Sequence, residues 1–147
     1  MRHIIWILCI SFLLTSCVKP RRATVFLLPE HYTGWVRVEY SVAGEQPLPL
    51  EDGHYVIVVP SAGFLRTSSP FEEGYADDRY YTDVSGKRTE MKEADQPDAS
   101  IGDIRARRTV VIGKPGEKQR MFGAFFVGSQ SEYLAAPKDP ASLPLPS

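Results

Sequence analysis

The stretch FLLPEHYTGWVRVEYSVAGEQPLPLEDGHYVIVVPSAGFLRTSSP, Phe26 to Pro70, decides the fold. Trp35-Val36-Arg37-Val38-Glu39-Tyr40 alternates with period two, so Val36, Val38 and Tyr40 share one face and Trp35, Arg37 and Glu39 the other. The aliphatic face is the core face, and Trp35, flanked on its own face by charge, reads as a partly buried cover residue. His54 to Val59 is apolar on both faces after its first residue, the pattern of a strand in the centre of a sheet. Between these runs, Gly44 to Gly53 holds two prolines and ends on Asp52-Gly53, a turn signal because glycine takes positive φ without steric cost. Pro60 to Gly63 makes the next turn, Phe64 to Ser68 a short strand, and Ser69-Pro70 a break.

Outward from this stretch the same grammar continues. Thr24 to Leu28 (TVFLL) reads as a strand ended by Pro29. Phe71 to Asp78 (FEEGYADD) is an acidic loop, Arg79 to Val84 a strand, and Ser85-Gly86 a hairpin turn with Lys87 onward as the returning partner. Glu93 to Asp103 is a polar loop, after which Arg107 to Ile112 and Met121 to Val127 form a terminal hairpin. Ser129 and Glu132 have capping-box spacing and start a short helix through Ala136 that Pro137 closes. About seven or eight short strands with turn punctuation give an all-β fold, a sandwich or a small barrel, with one short C-terminal helix. The Pro-rich tail, residues 137–147, is expected to be disordered.

The N-terminus is of another kind. Arg2 is followed by an apolar run, Ile4 to Leu14, broken only by Ser11. That is too short to span a bilayer, which takes about 20 apolar residues, and fits a secretory h-region of roughly 7 to 15. Leu14-Thr15-Ser16-Cys17 then resembles the lipobox of bacterial lipoproteins. The resemblance implies a signal peptide over residues 1–16, lipid attachment at Cys17, a lipidated tether over 17–23 and a folded domain over 24–136. From Val18 to Ala23 such a tether reaches roughly 20 Å. Lys19, Arg21 and Arg22 are placed to attract anionic head groups. Val18 stands after the cysteine where Asp would signal retention at the inner membrane, so the resemblance implies a cell-envelope protein on the outer membrane where the bacterium has one. Otherwise it implies the extracytoplasmic face of the plasma membrane.

Of 147 residues, 43% are hydrophobic and 24% charged, with a formal charge of -1, ordinary values for one globular domain. Loss of residues 1–16 removes Arg2 alone among the charged side chains, so 16 basic residues would face 18 acidic ones. Charge and compartment both argue against a nucleic-acid partner. Cys9 goes with the leader and Cys17 takes lipid, which leaves no thiol for a disulfide or a metal.

FLLPEHYTGWVRVEY, PLPLEDGHYVI, GFLRTSSP and FFVGSQSEY together resemble a family of uncharacterised bacterial domains, many on secreted or lipid-anchored proteins. The resemblance covers most of the chain after the leader and implies a shared fold without an activity. A looser likeness, through the G-x-V-x-V and D-G-x-Y-x-I-x-x-P patterns, is to transthyretin-like and carboxypeptidase-regulatory-like β-sandwiches. An Ig-like sandwich is the alternative.

Motifs of catalysis are weak. There is no G-x-S-x-G elbow, H-E-x-x-H or P-loop, and only His31 and His54 follow the leader, too few for a three-histidine metal site. No catalytic, cofactor-binding or metal-binding residue is assigned, and no cofactor is expected. Glu72, Glu73, Asp77 and Asp78 read as a solvated acidic loop, with glycoside hydrolysis or calcium as the sharper alternative. Trp35, Tyr75, Tyr80 and Tyr81 read as packing aromatics, with sugar stacking as theirs. Arg105, Arg107 and Arg108 read as the solvent side of a strand. The expectation is a non-catalytic binding or assembly module, held to the membrane by its lipid and meeting an envelope protein, its small-molecule ligand unnamed. The alternative is a small envelope hydrolase or carbohydrate-binding protein that uses Phe71 to Tyr81.

Overall fold

A computed structural model describes residues 19–97, 99 and 102–145. The leader and Cys17 lie outside these, so the lipid-attachment assignment rests on the sequence. The strands are β1 (Thr24–Leu28), β2 (Gly34–Tyr40), β3 (Leu50–Glu51), β4 (His54–Val58), β5 (Phe64–Arg66), β6 (Arg79–Val84), β7 (Lys87–Glu90), β8 (Ile104–Ile112) and β9 (Arg120–Val127). A helix, α1 (Gln130–Ala135), and a 3-10 turn, Pro140–Ser142, follow. The one strand beyond the expected seven or eight is the two-residue β3.

The strands form two sheets, β3-β4-β1-β6-β7 and β5-β2-β9-β8, packed face to face as a sandwich. Neither closes on itself, which removes the barrel. Both are mixed. β1 runs parallel to β4 and to β6, bringing Ile57, Phe26 and Tyr80 into one row on the inner face. In the other sheet β2 runs parallel to β5 and antiparallel to β9, with Val36 opposite Phe125 and Val38 opposite Gly123. β1, paired with a parallel strand on each side, occupies the centre of its sheet, while β4 lies one strand in from the edge with Val58 66% exposed, so its apolar run does not mark the central strand. The alternation read from Trp35 to Tyr40 holds. Val36 and Val38 enter the core with Phe26, Leu28, Ile57, Val59, Tyr80, Phe125 and Val127.

The opposite face of β2 is covered, not solvated. Trp35 packs with Ala124, Phe126 and Tyr133 under α1, and its indole N–H donates to the Pro137 carbonyl at 2.8 Å. Arg37 donates to the carbonyls of Leu143 at 3.0 Å and Pro144 at 2.7 Å. The tail read as disordered thus lays its carbonyls against the sheet, where they satisfy a buried guanidinium, while residues 146 and 147 lie outside the described residues. Burial holds the Arg37 pKa below its ordinary value. α1 carries the capping box, with the Ser129 hydroxyl and the Glu132 carboxylate each taking the other's backbone N–H. The turns fall as read: Asp52 and Gly53 have φ of 47° and 79°, and Ser85 and Gly86 of 52° and 81°, the two left-handed residues of a tight hairpin.

Candidate functional site

At the end of the sandwich where β1 begins, the sheets part into a cleft of about 460 Å³. Its floor is core: Phe26 of β1, Val38 of β2, Tyr80 of β6 and Phe125 of β9. The gap has a local cause. Along the inner face of β9, Met121 and Phe125 flank Gly123, which offers no side chain opposite Val38.

The mouth is organised by Asp78, whose side chain is 4% exposed. Its carboxylate accepts from the Arg21 guanidinium at 3.0 Å, the Thr24 backbone N–H at 2.9 Å and Arg107 at 3.0 Å. One acidic residue thus joins the segment before β1, β1 itself and β8 of the facing sheet. Residues 19–23 are accordingly not a free tether. Arg21 N–H donates to the Tyr75 carbonyl at 3.0 Å and Tyr75 N–H to the Lys19 carbonyl at 3.1 Å. Gly74 permits this approach, since a Cβ there would stand 2.1 Å from the Lys19 oxygen. Glu72 holds the adjoining corner, accepting from the Arg22 backbone N–H at 3.1 Å and the Tyr55 hydroxyl at 3.0 Å. That backbone hydrogen bond, foremost, keeps the Glu72 carboxyl below the usual carboxylate range.

Arg107 reaches the mouth because β8 is bulged. Arg105 pairs with Phe126 and Arg108 with Ala124, so β8 spends one extra residue, and Ala106 takes a φ of 52°. The alternation changes phase there. Arg107, Thr109 and Val111 line the cleft, while Arg108 lies on the other face, 5.0 Å over the Trp35 ring. Arg105, read as solvent-facing, is 1% exposed. It donates to the carbonyls of Pro97, Ala99, Gly102 and Gly128 and so fastens the polar loop to the end of β9.

Tyr80 is the one phenol on the floor that is 2% exposed. Its ring stacks on Phe26 at 5.1 Å and meets Phe125 edge-on at 5.1 Å. Its hydroxyl is buried and has no hydrogen-bond partner among the described residues. Arg107 acts on that hydroxyl electrostatically without making a well-formed hydrogen bond, and burial raises its pKa far above the ordinary value, so it stays an O–H donor. Burial, with Asp78 adding to it, pushes the neighbouring Tyr40 up to about 12.

Of the acidic loop, Glu72, Glu73 and Asp78 line the cleft, whereas Asp77 lies outside it with its side chain 82% exposed. Tyr75 and Tyr81 are outside the lining, and Trp35 is under α1. His54 is exposed, its ring against the Asp52 carbonyl, and His31 is exposed beside Glu30, so neither reaches the cleft. Among the described residues no three His, Cys, Asp or Glu side chains converge as a metal site requires. Asp78 takes donors from Arg21, Thr24 and Arg107 and Glu72 from Arg22 and Tyr55, which suits both to holding the mouth in shape. Sequence reasoning passed over Gly123, Tyr40 and the inward Arg107. A break in period two at Arg105 to Arg108 is the signal that could have drawn attention to the last.

A family model described as a family of unknown function (DUF6843) matches residues 20–132. The chain is also similar to a solved structure from Bacillus anthracis, described as a "putative lipoprotein", at 26% identity and a TM-score of 0.57, covering 84% of each chain. No curated protein matches.

Proposed function

The chain belongs to that family of unknown function (DUF6843), and from this premise we propose that it is a lipid-anchored binding module of the cell envelope that works without catalysis, its binding element the inter-sheet cleft held against the membrane. The observation that carries the reading is the Asp78 carboxylate, which ties the chain just after Cys17 to the cleft mouth through Arg21 and Arg107. With Lys19 already docked, an acylated Cys17 is separated from the domain by one residue, a reach of roughly 7 Å over two steps of the chain. Two or more acyl chains anchor stably where one does so marginally, so the cleft would sit at the level of the lipid head groups. The similarity to a lipoprotein supports the anchor. The structural engagement of Asp78 by two arginines and a backbone N–H, and the distance of both histidines from the cleft, support a binding role over hydrolysis.

Two measurements test it. In cells, the chain should take a radiolabelled acyl group and Cys17→Ser should not. In proteoliposomes, a bimane on Glu73→Cys at the cleft mouth should be quenched by brominated lipids. A bimane on Lys87→Cys, roughly 17 Å farther along the strand direction at about 3.3 Å per residue, should not. A wild-type chain without acyl label, or equal quenching at both positions, overturns the reading.

A further inference from the structure

We propose that the cleft is a site for a single-chain amphiphile with an anionic head, its acyl chain against Phe26, Val38 and Phe125 and its head accepting the Tyr80 O–H beside Arg107. The inference rests on the cleft being the binding element and names what it binds.

Four observations carry it. Protein interiors are close-packed, yet here a space of about 460 Å³, within the roughly 300–1,000 Å³ of small-molecule sites, runs down to side chains of the core. A strand glycine holds the space open. Gly123 has no left-handed φ to require it, and a Cβ there would make only ordinary contact with the Tyr40 ring at 3.4 Å. Glycine inside a strand marks a place where something approaches closely, and here it faces the cleft. The buried Tyr80 hydroxyl is an unsatisfied donor; such groups are rare and disfavoured, and a ligand oxygen would complete this one. Finally, the charge nearest that hydroxyl is a cation. Arg21, Arg22 and Arg107 at the mouth are matched in number by Glu72, Glu73 and Asp78, but it is the Arg107 guanidinium that acts on the Tyr80 hydroxyl, which favours an anionic acceptor at that point.

The aromatic lining separates an acyl chain from a sugar. Pyranose rings stack on free aromatic faces, and those of Phe26 and Tyr80 are already stacked on each other, with Phe125 edge-on to both. What remains for a ligand is an apolar floor of Phe26, Val38 and Phe125 under a mouth of guanidinium, carboxylate and hydroxyl groups. A membrane-proximal domain meets this ligand chemistry from two sources, free fatty acid and a lysophospholipid of acidic head.

Both sheets and the whole core lie within residues 19–145, so a chain begun at Lys19 carries the cleft complete. Titrated calorimetrically into it below the micelle concentration, dodecanoate should bind at one site. Affinity should rise about fourfold per methylene from octanoate upward, the factor that corresponds to burial of one methylene. Lauroyl lysophosphatidylglycerol should also bind, and the tighter of the two anions names the source. Dodecyltrimethylammonium and dodecyl maltoside should bind at least tenfold more weakly. Tyr80→Phe should weaken dodecanoate about tenfold with the midpoint of unfolding unchanged or raised, because it removes an unsatisfied hydroxyl and leaves the ring. Thr109→Trp, at an exposed position lining the cleft, should block binding in a folded chain. Equal binding of the cationic or sugar-headed amphiphile overturns the anionic head, and full affinity in Tyr80→Phe overturns its placement. No binding of either anion by the folded chain overturns the proposal. Because acylation and bromolipid quenching read the anchor and not the ligand, that last result would leave the membrane-proximal reading standing.

Discussion

Two carboxylates in this protein are buried under two arginines each, and they do different work. Glu39, on the outer face of β2, takes Arg120 of β9 at 2.5 Å and 2.6 Å and Arg66 of β5 at 3.3 Å. Those are the two strands hydrogen-bonded to β2 on either side, so Glu39 fastens three neighbours within one sheet. Asp78 spans what the sheets do not: the segment before β1, β1, and β8 across the cleft. The same chemistry therefore reinforces pairing that the backbone already makes in one place, and in the other supplies a connection that no ladder makes. The second kind is where the protein can be opened, and where the candidate site lies.

The comparison can be broken in order of expected effect. Asp78→Ala should cost about 3 kcal/mol or more, because it leaves Arg21 and Arg107 without their shared partner and the Thr24 N–H without an acceptor. Denaturant unfolding measures the loss, and trypsin should now cut after Arg21 or Arg22 in the native state; unchanged cleavage would show that Asp78 does not hold the segment. Glu39→Ala should cost less, about 2 kcal/mol, since its arginines are 35% and 41% exposed and can turn to water. It should leave both tryptic cleavage and dodecanoate binding untouched.

Acid sharpens the contrast. The hydrogen bond from Arg120, ahead of every other influence, holds the Glu39 carboxyl below its ordinary value. A group whose folded pKa is depressed contributes stability that is present above its unfolded pKa of about 4.3 and is lost as pH falls through the folded value. Glu39→Gln should therefore flatten the stability profile below about pH 4.3, as read by denaturant midpoints across pH, and narrow its gap from wild type on acidification. A gap that widens on acidification would refute it. The smallest change is Ala106→Gly, which relieves a left-handed alanine at the bulge and should raise stability by about 0.5 kcal/mol, the relief partly offset by glycine's greater freedom when unfolded. A midpoint lowered by that change would mean the bulge is not strained.

What could be read from sequence follows period. The spans of β1, β2, β4, β6, β9 and α1 all show in local alternation or capping, and so does the sharing of one face by Trp35, Arg37 and Glu39. What covers that face does not, because Pro137, Leu143 and Arg120 come from residues about a hundred positions away. Arg105 and Arg107 were hard to place for another reason. The bulge at Ala106 inverts the alternation without a glycine or proline to mark it, so two arginines that look like a solvated edge become a buried clamp and a cleft residue. The parallel pairing of β1 was equally hidden, since hairpin signals mark only antiparallel neighbours. The cleft itself is an absence of side chain at Gly123, and a lone glycine in a strand reads first as a weak position.

The order of the four-stranded sheet also governs how the chain can acquire its structure. β9, the last strand made, lies between β2 and β8, so β2 keeps one edge unpaired until residue 127 is available. A chain delivered N-terminus first must travel with that edge open, and any product cut short before β9 presents it for aggregation. Arg21 likewise cannot dock until Asp78 has been made. With pairings this far apart in sequence, folding belongs to the slow millisecond-to-second class of non-local β proteins.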